Sequence, residues 1–328
     1  MRLSGPPAQL ADRRPNHRYG APVRITEVDH RHEVARRRVI AFCDGVAEMH
    51  GHGILSDHLR LELEDATTDP PPILVLGLDD HDGVRGFAQA SMANDTSVVE
   101  LVIPGTHEAP PDRALAEGLL RAVVERVHDG GASELTWWLR SHDHWYETLA
   151  KTLGFVERRN LLQLRARLDS HDRERLAAMR VSTRAFRIGV DEADWLRVNN
   201  TAFASHGEQG SWDLETLHRR LNSDWFDPQG FLLHHDEDQL AAFCWTKVHR
   251  PNGHDGALGE IYVIAVDPSR AGRGLGAAVT AAGLVHLFDS GFPDVMLFVD
   301  ETNTAARTMY AGLGFVEHHR DRAMGLAL

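Results

Sequence analysis

The sequence predicts an α/β protein of two tandem units, each a mixed, mostly antiparallel central sheet flanked by helices. Three observations predict it. The chain has 328 residues, and at roughly 100–200 residues per domain two units are the natural division. Short apolar runs alternate with longer amphipathic segments, so that the order strand, helix, strand, helix, strand occurs twice. A weak internal repeat marks the same period: residues 149–157 read LAKTLGFVE and residues 310–317 read YAGLGFVE, each after a helical segment and before an extended one.

In the first unit, the apolar runs 73–78 and 84–92 bracket the polar turn DDHDG and read as a hairpin. A strand over 98–103, an amphipathic helix over 113–127 and a strand over 136–139 follow. In the second unit, runs 231–235 and 240–248 bracket DEDQ as another hairpin. A strand over 260–266, a helix over 275–288 and a strand over 295–299 complete the repeat. Between the units, residues 169–180 (DSHDRERLAAMR) read as a linker or a short exposed helix. The expected division is a disordered Pro-, Gly- and Arg-containing tail over 1–22, a first domain over 23–168, a linker over 169–181 and a second domain over 182–328.

Composition excludes several partner classes. Lys and Arg number 35 against 48 Asp and Glu, a net charge of -13. That balance argues against nucleic acid and anionic membranes, which demand a basic face. A small anionic ligand needs only a local nest of amides and one or two cations. No apolar run approaches the ~20 residues of a membrane span, and the first residues lack the apolar core of a signal peptide. A cytoplasmic, monomeric enzyme acting on a small molecule is expected. Cys43 and Cys244 sit in apolar stretches and read as buried and inert. Among the 21 histidines, the pairs 50/52, 142/144, 234/235 and 318/319 lack the spacing of a helical metal pair, so no metal is expected.

The chemistry concentrates in residues 267–277, DPSRAGRGLGA, directly after an apolar strand and at the opening of a helix. Gly272, Gly274 and Gly276 permit positive φ and close backbone approach. Free N–H groups at a helix start, with its dipole, make an anion site. Arg270 and Arg273 add charge, and a pyrophosphate is the expected guest. The bland alternative is a glycine-rich turn without a ligand. The dinucleotide-binding fingerprint fits poorly, because the preceding strand comes too late in its domain.

This loop resembles the R/Q-x-x-G-x-G/A pyrophosphate loop of GNAT-type N-acetyltransferases. The runs LRVNNTAFASHGEQGSW (196–212), WFDPQG (225–230), FCWTKVH (243–249) and GEIYVIAVDPSRAGRGLG (259–276) more specifically resemble the mycothiol synthase family. The resemblance covers about residues 182–328 closely, and residues 24–168 only in domain type and order. It implies acetyl-CoA as co-substrate and the cysteinyl amine of cysteinyl-glucosaminyl-inositol as acceptor. It implies that Ile264, Ala265 and Val266 lie on a splayed strand that binds the pantetheine arm. It implies that Ala271, Gly272, Arg273, Gly274, Leu275, Gly276 and Ala277 hold the pyrophosphate, with Asn303 beside the cofactor. By the same resemblance Glu260 is the general base and Tyr310 the acid for the departing thiolate, while Asp57, Glu208, Lys247 and Glu260 contact substrate. A cysteinyl α-amine has a pKa of about 7.7–8.0, so a modest base suffices.

The chain departs from the family pattern in two places. Phe298 stands where many members have tyrosine. The first unit lacks the glycine loop: after residue 103 comes PGTHEAPPDRALAEG, with Pro104, Pro110 and Pro111 carrying no amide donor and Glu108 and Asp112 supplying negative charge. Ala150 occupies the repeat position of Tyr310. The first unit therefore reads as non-catalytic, with at most a weak second cofactor site along Leu101, Val102 and Ile103. Two alternatives stay open: a GNAT enzyme acting on another amine or a protein N-terminus, and a CoA-binding regulator without turnover. The presence of Glu260 and Tyr310 argues against the second.

Overall fold

A single sheet of twelve strands runs through the molecule in the computed structural model. The structure describes residues 23–50, 54–92, 96–106, 109–140, 144–204, 209–251 and 256–328. The expected tail over 1–22, Glu108 and the candidate substrate contact Glu208 lie outside the described residues. The first half of the chain forms β1 (Arg24–Val28), α1 (Glu33–His50), α2 (Asp57–Glu64), β2 (Ile73–Leu78), β3 (Val84–Ser91), β4 (Thr96–Val102), α3 (Arg113–Asp129), β5 (Glu134–Leu139), α4 (His144–Thr152) and β6 (Val156–Arg167). The second half continues with α5 (Ser170–Met179), β7 (Arg184–Ala185), α6 (Glu192–Ala202), α7 (Leu214–Leu221), β8 (Phe231–Asp236), β9 (Gln239–His249), β10 (Leu258–Val266), α8 (Leu275–Asp289), β11 (Asp294–Asp300), α9 (Thr304–Gly312) and β12 (Val316–Ala327).

Local chemistry explains the boundaries. The β8–β9 turn places Glu237 and Asp238 at φ of 51° and 62°, the left-handed pair that a tight hairpin needs. Helix α3 starts where Asp112 accepts the amide of Leu115 at 3.1 Å. Helix α5 starts with a reciprocal capping box between Asp169 and Asp172. The segment read as a linker or exposed helix is thus α5, and it is anchored. Its Leu176 is fully buried in the core that holds α8, and Arg173 makes a two-pronged pair with Asp289 at 3.0 and 2.9 Å.

The strand order is β1-β2-β3-β4-β5-β12-β6-β11-β10-β9-β8-β7. The two repeats have exchanged their last strands. β6, from the first half, pairs antiparallel with β11, from Asp294↔Arg167 to Asp300↔Leu161. β12, from the second half, pairs with β5, from Arg322↔Leu139 to Ala327↔Glu134. The exchanged strands also pair with each other, which joins the two halves into one sheet. Their side chains enter the partner core: Leu162 and Leu164 pack among residues of α8 and β11, and Met324 packs with Leu119 and Trp137. Fully burying such a side chain is worth about 1.5–3 kcal/mol, so neither half has a complete core without the other's strand.

Helices cover both faces. In the second half α8 lies on one face, and α6 and α7 close the other over Trp195, Trp212, Phe231, Phe243 and Trp245. α8 sits close to β9 because Gly283 faces it: a Cβ there would stand 2.4 Å from Cys244 Sγ. Cys43 and Cys244 are buried, and burial pushes both thiols up to about 12. Among the described residues no helix is long and apolar enough to cross a membrane, and no group of three His, Cys, Asp or Glu is placed to hold a metal ion.

Candidate active site

The site is built around β10. On one edge this strand pairs with β9 along its whole length, from Leu258↔His249 to Val266↔Ala242, with a bulge at Tyr262. On the other edge it pairs with β11 only at Gly259, Glu260 and Ile261. Beyond Ile261 the two parallel strands separate, and the backbone through Ile264, Ala265 and Val266 borders the opening. Backbone groups freed in this way require new partners, and an extended amide-containing chain is one that fits. β4 repeats the feature: it pairs with β5 only from Thr96 to Val99, leaving Leu101 and Val102 beside a second opening, with Ile103 just past the strand.

At the end of β10, Asp267 holds the turn by accepting Ser269 N at 3.0 Å, Ser269 Oγ at 2.7 Å and Arg197 Nη1 at 2.9 Å. The Ser269 hydroxyl bond, aided by Arg197, lowers its carboxyl to about 2. Gly272 and Gly274 have φ of 79° and 76°, and a Cβ at either would meet nothing within 4 Å. Backbone conformation, not crowding, therefore requires glycine at both. Gly276 differs from the sequence expectation: it lies inside α8 without positive φ, and its missing side chain faces Met309 Sδ, 3.4 Å from where a Cβ would be. That contact ties the start of α8 to α9.

Gly274 is the N-cap of α8 and has no side chain to satisfy the first turn. The amides of Leu275, Gly276 and Ala277 lack intrahelical partners by the geometry of any helix start. With the dipole behind them they form a cradle suited to an anion. Arg273 is exposed beside it, 3.6 Å from Asp236. Arg270, expected to contribute charge, instead points back into a charge pair with Asp236 and donates to Gln239 Oε1 at 3.1 Å. Its role in the structure is to brace the loop. The equivalent end of α3 is already occupied by the Asp112 carboxylate.

Asn303 caps α9 through the amide of Ala306 at 3.1 Å and is exposed. Tyr310, two turns later, is 5% exposed and meets Phe315 edge-on, ring centroids 6.0 Å apart. Burial first, then the neighbouring Cys244 thiol, pushes the Tyr310 hydroxyl well above the ordinary tyrosine range. Phe298 is exposed on β11.

On β9 and β10, Lys247 and Glu260 are directly paired in register, and both are buried. The Lys247 ammonium lies 4.8 Å from the Trp225 ring centre and 5.3 Å from that of Tyr262. It also forms a close ion pair with Asp57, the first residue of α2, 190 positions away in sequence. Burial opposes its charge, but Asp57 and Glu260 together outweigh this and raise its pKa above the ordinary value. Arg220 donates from Nε to the Tyr262 hydroxyl at 3.2 Å and stacks 3.9 Å above Trp212. His249 Nε2 lies 2.6 Å from Glu260 Oε2. Sequence reasoning had not singled out His249, Tyr262, Trp225 or Arg220. Period-2 alternation on β9 puts His249 on the Lys247 face and was the available signal; the contacts of Trp225 and Arg220 depend on how α7 and the segment after it fold over the sheet.

A strand that parts from its parallel neighbour, followed by a glycine loop and an uncapped helix start, defines a GNAT-type N-acetyltransferase unit, here in tandem. The chain matches the acetyltransferase (GNAT) family over residues 194–315. A tandem GNAT protein from the clavulanic acid biosynthesis pathway has the same fold, with a TM-score of 0.64 at 15% identity over 93% of this chain and 98% of that one. The mycothiol acetyltransferase of Acidimicrobium ferrooxidans is 38% identical over 289 residues, 86% of this chain and 91% of that protein. The mycothiol acetyltransferase of Thermobispora bispora is 39% identical over 278 residues, 84% of this chain and 91% of that protein. The chain belongs to the mycothiol acetyltransferase family and is an N-acetyltransferase. Enzymes of the GNAT family use acetyl-CoA as co-substrate.

Proposed function

We propose that the enzyme transfers the acetyl group of acetyl-CoA to the cysteinyl amine of cysteinyl-glucosaminyl-inositol, giving mycothiol and CoA. The observation that carries this reading is the buried Lys247–Glu260 pair at the start of the splayed strand, closed by Asp57 from the other half. A hydroxyl-rich sugar–cyclitol is bound by charge-assisted hydrogen bonds, and these three groups supply both signs of charge in one place. Trp225 and Tyr262 provide apolar walls beside them.

The pyrophosphate of acetyl-CoA meets the amides of Leu275, Gly276 and Ala277, with Gly272, Gly274, Ala271 and Arg273 shaping the cradle. The pantetheine arm continues the β10 edge at Ile264, Ala265 and Val266, and Asn303 flanks the cofactor. Glu260 takes the amine proton, directly or through one water. The freed amine attacks the thioester carbonyl, whose oxygen accepts from a backbone amide on the splayed strand. The C–S bond breaks, Tyr310, kept protonated by its burial, donates its proton to the thiolate, and the second proton of the attacking nitrogen leaves through solvent and restores the tyrosine hydroxyl.

The first half, with its capped α3 and Ala150 in place of tyrosine, supplies Asp57 and part of the sheet rather than a second centre. Initial rates with cysteinyl-glucosaminyl-inositol against a panel of aminoglycosides, free cysteine and N-terminal peptides test the acceptor. A kcat/KM for the sugar thiol within tenfold of that for any other amine would overturn the assignment.

A further inference from the structure

Glu260 is 5% exposed, and burying a carboxylate is costly unless hydrogen-bond donors reach it. Among the described residues one donor reaches it: His249 Nε2, 2.6 Å from Oε2. Lys247, its neighbour in register, is turned to Asp57 and contributes charge without a hydrogen bond to Glu260. No described side chain or amide donates to Oε1. Among the described residues, one oxygen of the carboxylate is held by His249 and the other is left to the acceptor side.

We propose that His249 is the positioning residue of the acetyl-transfer site. Its Nε2–H donates to Glu260 Oε2, fixes the carboxylate plane and presents Oε1 to the acceptor amine. The inference rests on the reading of Glu260 as the base. The arrangement reverses the familiar one in which a carboxylate orients a histidine base: here imidazole orients a carboxylate. The proton balance is simple. The amine N–H bond breaks and its proton goes to Oε1, while the Nε2–H bond to Oε2 stays intact throughout. The imidazole is one-third exposed and Glu260 is nearly enclosed, so His249 reaches the base from the solvent side. Among the described residues, Lys247 from β9 is the charged neighbour of Glu260 beside His249, and Asp57 from α2 and Tyr262 on the Glu260 strand, with Arg220 behind it, surround that ammonium.

A base that is merely loosened loses geometry rather than substrate. Misplacement of a reacting group by about 1 Å costs on the order of 10²-fold. His249→Ala is therefore expected to lower kcat by about that factor, with the KM for acetyl-CoA unchanged. His249→Gln, which returns an N–H donor at similar reach, should restore at least half of the loss on a logarithmic scale. The deficit of His249→Ala should also shrink as pH rises past the acceptor amine's pKa of about 8, because an amine already neutral in solution does not need Glu260 to take its first proton. Unchanged kcat in His249→Ala overturns the proposal. So does a deficit that is constant from pH 6.5 to 9.5 and not rescued by Gln, the signature of lost packing. Glu260→Gln is run in parallel: full activity there refutes Glu260 as the base, a different failure from that of His249.

Discussion

Gly274→Asp converts the open cradle of α8 into the arrangement at α3, where Asp112 already fills the helix end. The change is sterically permitted, because a Cβ at Gly274 meets nothing within 4 Å. Its φ of 76° costs a non-glycine residue about 1–2 kcal/mol, and a carboxylate at a helix N-terminus returns about 0.3–1 kcal/mol through the dipole. The folded enzyme should lose on the order of 1 kcal/mol, a fall in Tm of a few degrees. Binding of acetyl-CoA should suffer far more. A carboxylate about 4 Å from a phosphate charge, at an effective dielectric near 20, repels by about 4 kcal/mol, close to 10³-fold in Kd. Calorimetric titration with a non-hydrolysable acetyl-CoA analogue reads this directly. Gly274→Ala separates strain from charge and should cost tenfold or less. Wild-type affinity in Gly274→Asp would refute the pyrophosphate assignment. Two sites of comparable affinity in the wild type would refute the expected asymmetry between the halves.

Three further substitutions test the acid, the buried ion pair and the packing of α8 on β9. Tyr310→Phe keeps the ring against Phe315 and removes the acid, so kcat should fall by about 10²–10⁴-fold with acetyl-CoA affinity intact; stopped-flow separation of chemistry from product release checks it. Because burial raises the Tyr310 pKa, its hydroxyl stays protonated well past pH 10, and its ionisation should produce no alkaline fall in the chemical step below that pH. Asp57→Asn leaves Lys247 buried without its ion-pair partner and should raise the KM for the acceptor at least tenfold while sparing that for acetyl-CoA. The Lys247 pKa is raised in the fold, so its contribution to stability is complete below the unfolded value of about 10.4 and declines as pH rises through the higher folded value; urea midpoints of Asp57→Asn and wild type should stay apart up to about pH 10 and converge only above it. Gly283→Ala drives a methyl to 2.4 Å from Cys244 Sγ and should destabilise by about 1–3 kcal/mol, read as a lower urea midpoint.

Much of the architecture is legible in the chain itself. Short apolar runs and their polar turns specify the β2–β3 and β8–β9 hairpins. The glycine loop between strand and helix specifies the α8 start, because left-handed φ at Gly272 and Gly274 is a local backbone requirement. Asp112 behind two prolines likewise announces a closed helix end in the first half. These features depend on neighbours within a few residues, which is why sequence alone carries them. The capping box at Asp169 and Asp172 and the anchoring of α5 on α8 through Leu176 and Arg173 emerge only in the structure.

The exchange of β6 and β12 could not be read from the chain. Both strands follow the same LGFVE signal, and backbone amides and carbonyls present identical ladders to either sheet. Only the fit of Leu162, Leu164 and Met324 into the opposite cores selects the partner. The proposed acceptor pocket has the same origin. Asp57 meets Lys247 across 190 residues, and His249 reaches Glu260 across the β9–β10 ladder. Sequence by itself determined the repeated strand–helix order, the glycine loop at the start of α8 and the repeat. Tertiary structure decided which strands complete which core and which charges share the buried site, because those choices rest on long-range packing and desolvation that no local pattern encodes.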